Sequence, residues 1–439
     1  MKQAGEVLRR TAFYGLDMMN GSKLRRLLKV NKSEIVNGVT KEYQDRRIDA
    51  ILTYARENCP FYRNLPANEV LSDFPVQTKG DFIRNYDGII SDQFIGMRDK
   101  LKKLSTSGST GTPFTVLADP KKMDHVNMNF ISVMELNGFR FGMKRGEFRA
   151  WIKGKNTISR FHSFKNNLLM IDISNMGDES ILEICDRIRR ERIQVLVAYS
   201  SAIEALCSFL ERTGYNTGSW SVEMVFTMGE ALPAGVRQKA KELIGVTPVL
   251  SYGNNENGFM AVSINDSDIY TIDQYNYYIE ILKMDSDEPA EDGELGRIVV
   301  TDFYNRAFPM IRYDIGDTGI IRRYTDEKGR LHAELTEIYG RRGSILYNTS
   351  GEPLSIHVFM NILFHFEGEI QQAKCIQTGE KEYTIEINAF KLPIDEERVV
   401  AAYRKYLGED AVITVEYLEG RIPIQQSGKT MVCENRWKK

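Results

Sequence analysis

Apolar positions along the chain switch between two periods, and the switches mark its elements. Tyr43, Ile48, Ile51, Leu52 and Ala55 recur at helical spacing, so a helix is expected over 39–58, opened at Val39-Thr40 and ended by Cys59-Pro60. A second is expected from Lys121 to Asn137, stopped by Gly138. From 166 to 252 the two periods alternate. Strand-like runs cover Leu168–Ile173, Ile193–Tyr199, Val222–Met228 and Pro248–Tyr252; helix-like stretches cover Asp178–Arg192, Ser201–Arg212 and Pro233–Ile244. Apolar strands separated by helices imply βαβ units and a parallel sheet covered on both faces. Ligands in such sheets sit past the carboxyl ends of the strands, where Gly229-Glu230 and Tyr252-Gly253 are expected.

Beyond 269 the segments shorten into β structure around an acidic run, Asp285 to Gly293, read as a solvated hairpin turn. After Gly340 the order becomes strand, helix, two strands, helix, strand, ending near Tyr417, the pattern of a small α+β domain. The expected fold class is α/β. A large N-terminal domain over 1–339 combines a mainly helical lead-in (1–100), a parallel-sheet α/β core and a smaller β region. A small, mobile α+β C-terminal domain follows over 340–439.

Composition adds exclusions. At 439 residues the chain is long enough for more than one domain, and a net charge of −2 argues against nucleic acid as the main partner. Cys59, Cys185, Cys207, Cys375 and Cys433 are far apart, with no Cys-x-x-Cys pair, so reduced cytoplasmic thiols are the default. No apolar run is long enough to span a bilayer, and the N-terminus lacks a signal-peptide core. Residues 1–30 mix Arg9, Arg10, Lys23, Arg25, Arg26 and Lys29 with Leu8, Phe13, Leu16, Leu24, Leu27 and Leu28. Such a helix can touch a membrane, but packing on its own domain is the expectation here. Pairing of two chains through these helices or an edge of the small domain stays open.

Candidate chemistry begins at Leu104-Ser105-Thr106-Ser107-Gly108-Ser109-Thr110-Gly111-Thr112-Pro113. Glycines that let the backbone approach, with short hydroxyl donors among them, have the composition of a phosphate cradle, though not in Walker order. Thr227-Met228-Gly229-Glu230-Ala231-Leu232-Pro233 stands at a strand-to-helix turn where a flat ligand can come close. In Ser251-Tyr252-Gly253-Asn254-Asn255-Glu256 a tyrosine can stack on a base and Glu256 can hold magnesium beside phosphates. Asp317, after Gly316, suits both hydroxyls of a ribose. Tyr339-Gly340-Arg341-Arg342 marks a domain boundary, and Ser427-Gly428-Lys429 puts a compact cation at a loop tip. Read singly, each is also an ordinary turn, cap or solvated charge.

Taken in order, these motifs resemble the adenylate-forming (acyl-CoA synthetase) superfamily, in its phenylacetate–CoA ligase-like group and CapK-like, capsular-polysaccharide-associated branch. Ala55 to Arg63, Phe74 to Lys79 and Glu294 to Thr301 match that group as well, so the resemblance covers about residues 40–435. It implies an AMP-forming ligase that activates a small carboxylic acid with ATP and Mg2+, releases pyrophosphate, and passes the acyl group on, most often to coenzyme A. An amine or carrier thiol in surface-polysaccharide assembly is the alternative acceptor, and a nucleotide-binding scaffold without turnover is the rival class.

Carried over, Ser107, Gly108, Ser109, Thr110 and Gly111 would hold the β- and γ-phosphates, and Glu256 with Thr110 would hold magnesium. Gly229, Glu230 and Tyr252 would line the adenine and acyl pockets, Asp317 and Arg341 would bind ribose, and Lys429 would bridge the α-phosphate and the attacking carboxylate. The family boundary reads Gly-Arg-x-Asp-Asp; here Gly340-Arg341-Arg342-Gly343-Ser344 lacks both acids, leaving Arg342 and Gly343 as the expected hinge. His125, His162, His332 and His365 are read as structural or surface, with His357 an outside candidate near the acceptor. Phe148 to Phe164, carrying Trp151, Lys153, Lys155 and Arg160, is expected to be a solvated loop.

Overall fold

The computed structural model describes residues 2–66, 69–105, 114–149, 151, 158–173, 176–341, 346–351, 353–354, 358–359, 362, 366, 369–390, 392–420, 422 and 432–437, without side chains at 2–4, 340–341 and 353. Two compact units emerge: Met1–Met143 with Val249–Glu337, and Lys144–Pro248 with Ile338–Lys439.

The first unit opens with helices α1 (Lys2–Met19) and α2 (Lys23–Asn37), a two-residue strand β1 (Val39–Thr40), then α3 (Lys41–Asn58) and α4 (Pro60–Arg63). Thr40 caps α3 by accepting from the Tyr43 amide at 3.1 Å, and Cys59 and Pro60 end it, close to the expected limits. Strand β2 (Gln77–Thr78), α5 (Lys79–Arg84) and α6 (Tyr86–Ile89) lead to a hairpin of β3 (Lys102–Ser105) and β4 (Thr115–Ala118), which pairs Ser105 with Thr115. Helix α7 (Pro120–Leu136) is capped by Asp119, whose carboxylate accepts from the amides of Lys121 and Lys122.

The chain re-enters this unit with β9 (Ser251–Asn254), β10 (Gly258–Ser263), β11 (Tyr270–Ile272), β12 (Tyr277–Leu282), β13 (Leu295–Asp302), β14 (Tyr313–Thr325) and β15 (Arg330–Arg341). They form the path β12-β13-β14-β15-β11-β10-β9, with β1 antiparallel on β15 and β2 parallel on β14. The core beneath the hairpin and helices gathers Ile51, Leu52, Phe74, Phe82, Phe114 and Phe308. The acidic turn between β12 and β13 is a solvated hairpin turn, as expected, braced by pairs of Asp287 with Arg297 at 2.6 Å and Asp292 with Arg323 at 2.7 Å.

In the second unit, β5 (Arg145–Arg149), α8 (Arg160–Lys165), β6 (Leu168–Asp172), α9 (Asp178–Glu191), β7 (Val195–Tyr199), α10 (Ser200–Thr213), β8 (Met224–Met228) and α11 (Ala234–Ile244) follow in order. The strands form an all-parallel sheet, β6-β5-β7-β8, with Phe148, Ile171, Leu196 and Phe226 fully buried. Short strands β16 (Leu346–Tyr347) and β17 (Pro353–Leu354) pair antiparallel. A second sheet, β20-β19-β18-β21, is built from β18 (Ile370–Gln377), β19 (Glu382–Ala389), β20 (Val412–Tyr417) and β21 (Cys433–Asn435), with α12 (Glu396–Leu407) packing Val399, Tyr403 and Leu407 into its core.

The α/β class is as expected, with two local corrections. Residues 251–254 are not the next parallel strand: β9 pairs antiparallel with β10 in the other sheet. The reason is local, since three residues after β9 the chain turns back on itself, and Gly253 lies so close that a Cβ would stand 2.3 Å from the Gly258 carbonyl. The parallel sheet instead gains β5. Its charged, Gly-containing sequence Arg145-Gly146-Glu147-Phe148-Arg149 hid a strand whose central residues are buried.

Candidate active site

In the first unit, three of the expected site residues and several unexpected ones converge. Glu256 lies in the β9–β10 turn and is 4% exposed. The Tyr313 hydroxyl donates to its Oε1 at 3.2 Å. Burial pushes the Glu256 carboxyl above its usual range and the Asp317 charge adds to this, against the Tyr313 hydrogen bond and the Lys79 charge. Tyr252, also buried, donates its hydroxyl to Asp317 Oδ2 at 2.9 Å, and its own pKa rises through burial first and the Asp317 charge second. Gly316, at φ +84°, makes the turn within β14 that precedes Asp317, and its amide donates to Asp314 at 3.0 Å. Tyr252, Glu256 and Asp317 thus form one cluster.

That cluster is tied to both ends of the Gly/Ser/Thr segment. The Asn255 side-chain amide donates to the Ser105 carbonyl at 3.2 Å, where β3 ends. Phe114, where the described chain resumes, is buried against Phe82 and Tyr313, with ring centroids 6.1 and 6.3 Å apart. From behind, Lys122 and Tyr277 both donate to the Asn257 carbonyl, at 2.8 and 2.6 Å, and Lys122 forms a fully buried ion pair with Asp302 at 2.5 Å. The turn that carries Glu256 is therefore fixed by hydrogen bonds on two sides.

Lys79, Tyr313 and Asp314 were not singled out from sequence as site residues. Lys79 follows β2, whose Gln77 and Thr78 pair with Tyr313 and Asp314, so the sheet brings it beside Glu256. The signal was a two-residue strand, too short to carry a period.

In the second unit, Gly229 follows β8 at φ +77°, a left-handed conformation that favours glycine. Glu230 turns back onto the first turn of α10: Ser200 Oγ donates to its carbonyl at 2.9 Å and the Ser201 amide to its carboxylate at 3.0 Å. A carboxylate at a helix N-terminus is stabilised by the orphan amides there. Arg341 is the last residue of β15. Ser107, Gly108, Ser109, Thr110, Gly111, Arg342, Gly343, Lys429, His357 and His365 lie outside the described residues. His125 is buried, with Nδ1 2.8 Å from Asn276 Oδ1. Among the described residues no group of three or more His, Cys, Asp or Glu is placed to hold a metal. Magnesium, however, often takes one or two protein carboxylates and completes its shell with phosphates and water. A buried, raised carboxyl such as Glu256 fits that role.

No protein-family model matches the chain. It is 23% identical to protein CapK of Staphylococcus aureus over 291 residues, 63% of this chain and 62% of that protein, so the match spans less than two thirds of CapK. It is 22% identical to the phenylacetate-coenzyme A ligase of Thermus thermophilus, over 75% of this chain and 79% of the ligase. Among solved structures, 2-hydroxyisobutyryl-CoA ligase in its postadenylation state, in complex with R3-HIB-AMP, superposes with a TM-score of 0.69 at 15% identity, covering 90% of this chain and 89% of that one. The comparisons support a resemblance, in sequence to the phenylacetate–CoA ligase type and in fold to an adenylate-forming ligase. For a protein of this type the Tyr252–Asp317–Glu256 cluster, beside the neck of the 106–113 segment, is the described part of the candidate site. The link to CapK is one of resemblance to a named protein alone.

Proposed function

We propose that this chain is an AMP-forming acid ligase with ATP, magnesium and a small carboxylic acid as its partners. A carboxylate oxygen attacks the α-phosphorus of ATP, the bond from that phosphorus to the bridging oxygen breaks, pyrophosphate leaves with the electron pair, and an acyl-adenylate remains. The sulfur of coenzyme A, as thiolate, then attacks the acyl carbon and AMP departs. What carries this reading is the hydrogen bond from Asn255 to Ser105, which sets the Glu256 turn against the neck of the hydroxyl- and glycine-rich segment.

Ser107 to Gly111 would cradle the β- and γ-phosphates and Thr110 would join Glu256 on magnesium, whose charge offsets that of the phosphates when bound. Asp317, oriented by Tyr252, would accept both ribose hydroxyls, with Arg341 assisting. Gly229 would let adenine approach, while Glu230 would hold the adjoining α10 terminus in place beside the acyl pocket. Lys429 would stand between two anions that otherwise repel, a task worth a few kcal/mol in a water-poor site. Its segment would belong to a small domain over 340–439 that rotates about Arg342 and Gly343 against the domain over 1–339.

Acyl transfer to an amine or a carrier thiol is the second reading, because Gly340-Arg341-Arg342-Gly343-Ser344 lacks the two acids of the family boundary. One assay separates the readings: pyrophosphate release from MgATP across a panel of carboxylic acids, with and without coenzyme A. Release that depends on one acid and falls at least about a hundredfold in Lys429→Ala is the expected result. Faster turnover with coenzyme A would select the thiol acceptor. An unchanged adenylation rate in Lys429→Ala would overturn the mechanism.

A further inference from the structure

Helix α1 has two faces of opposite character. One is fixed to its unit: Phe13 stacks on Phe141 with centroids 4.2 Å apart, and Glu6 accepts from Arg140 Nε at 2.9 Å. Asp17 caps the first turn of α2 by accepting from the amides of Leu24 and Arg25, each at 2.9 Å. At 100° per residue these positions share one side of the helix. The opposite half-turn carries Val7, Leu8, Leu16, Met18 and Met19, with Thr11, Ala12 and Gly15 between them and no charged residue. Leu8, Leu16, Met18 and Met19 are 58–82% exposed, a contiguous apolar strip of a kind that soluble surfaces seldom present without a use.

The charges around that strip have one sign. The first thirty residues hold seven basic side chains and two acids, in a chain whose net charge is −2. Both acids, Glu6 and Asp17, are buried and engaged as described. Arg9 borders the strip next to Leu16. On the other edge Tyr14, next to Val7, has Arg10 near it and Arg25 over its ring at 5.4 Å. Arg26 and Lys29 of α2 are exposed. An apolar half-helix rimmed by cations, with its acids withdrawn, is the arrangement that lies in the plane of an anionic bilayer: apolar side chains enter the acyl boundary and basic ones meet the headgroups. No described helix is long and apolar enough to cross a membrane.

We propose that α1 docks this protein peripherally on anionic phospholipid surfaces through Val7, Leu8, Leu16, Met18 and Met19. A second copy of the chain fits less well, because self-pairing would bring the arginine rims together with no exposed acid of α1 to meet them. The sequence pointed to packing on the protein's own domain; the structure gives that role to one face and leaves the other open.

The test is co-sedimentation of the full chain with phosphatidylcholine vesicles, with and without phosphatidylglycerol, at low and high salt. Binding that requires phosphatidylglycerol, weakens with salt, and falls about tenfold or more in Leu8→Asp and again in Met19→Asp is the expected outcome. Arg25→Glu should weaken it about tenfold as well, while Val412→Asp, an exposed apolar position on β20, should leave it unchanged. These positions face solvent, so unchanged melting temperatures certify the variants as folded. Equal binding to neutral vesicles, or binding indifferent to Leu8→Asp, would overturn the proposal. So would a wild type that ignores vesicles yet sediments as a dimer that Leu8→Asp dissociates, since α1 would then be a self-interface.

Discussion

Glu256 shows how a single side chain can be set against the stability of its own fold. Its carboxyl is buried, with a folded-state pKa raised above the unfolded value, so its charge destabilises the free protein wherever the unfolded group would be ionised. The penalty is largest near neutral pH and is relieved as pH falls through the raised folded value. Glu256→Gln keeps an acceptor for Tyr313 while removing the charge. Melting curves without ligand should therefore rise by about 1–3 °C at pH 7, with the gain shrinking toward acid pH. Under the proposed function MgATP would stabilise the wild type further, and the same variant should lose that gain and its pyrophosphate release with it. A variant that melts lower at neutral pH would mean that the charge is compensated in the free protein.

At the scale of elements, the turn bearing Glu256 depends on a buried ion pair. Lys122 of α7 meets Asp302 at the end of β13, and its ammonium also donates to the Asn257 carbonyl. Removing one partner leaves an uncompensated charge in the core, so Lys122→Met should cost about 3–5 kcal/mol in urea unfolding. Lys122→Met with Asp302→Asn should recover part of that loss, because the charge is gone, the substituted amide oxygen still accepts from the Tyr304 and Asn305 amides, and the Tyr277 hydroxyl still serves the Asn257 carbonyl. A double variant as unstable as the single one would place the loss in packing instead of charge.

Sequence made the repeating elements of this region legible and its non-repeating contacts illegible. Helices α3, α7, α9, α10 and α11 sit within a few residues of their expected limits, because caps and apolar spacing are local signals. Strand β9 was assigned to the wrong sheet and β5 was overlooked, because pairing partners are chosen by tertiary contact and β5 is charged along its length. The site divides in the same way. Tyr252, Glu256 and Asp317 were visible as motif residues, but Lys79 beside Glu256 and the bond from Asn255 to Ser105 depend on pairings across 150 residues or more.

At the scale of the whole molecule, the first unit is held by a polar knot in which two titrating groups pull in opposite directions. Asp273 is buried and accepts from the side chains of Asn129 on α7 and Asn276, and from the amides of Tyr275 and Asn276. Asn276 in turn donates to Asn31 on α2 and lies 2.8 Å from His125 Nδ1. Burial raises the Asp273 carboxyl to about 6, and lowers the His125 imidazole to about 3. Between the ordinary carboxylate value of about 3.9 and pH 6 the folded state holds the Asp273 proton that the unfolded chain has released, so this group makes stability fall as pH rises. Between pH 3 and about 6.5 the unfolded chain holds the His125 proton that the folded state refuses, so that group makes stability rise with pH. The windows overlap from about pH 4 to 6 and the slopes there cancel, each being at most about 1.4 kcal/mol per pH unit. The surrounding Tyr43, Tyr275 and Tyr304 phenols are raised by burial and stay neutral throughout, so none of them adds a slope in that window. Asp273→Asn should unmask the histidine, giving a variant whose stability relative to wild type climbs with pH across this window. His125→Gln should do the reverse, with relative stability falling as pH rises. Urea midpoints of the three proteins, taken at steps from pH 4 to 6.5, measure both differences. Relative slopes of the same sign would mean that the knot titrates as one unit, with its protons shared through Asn276.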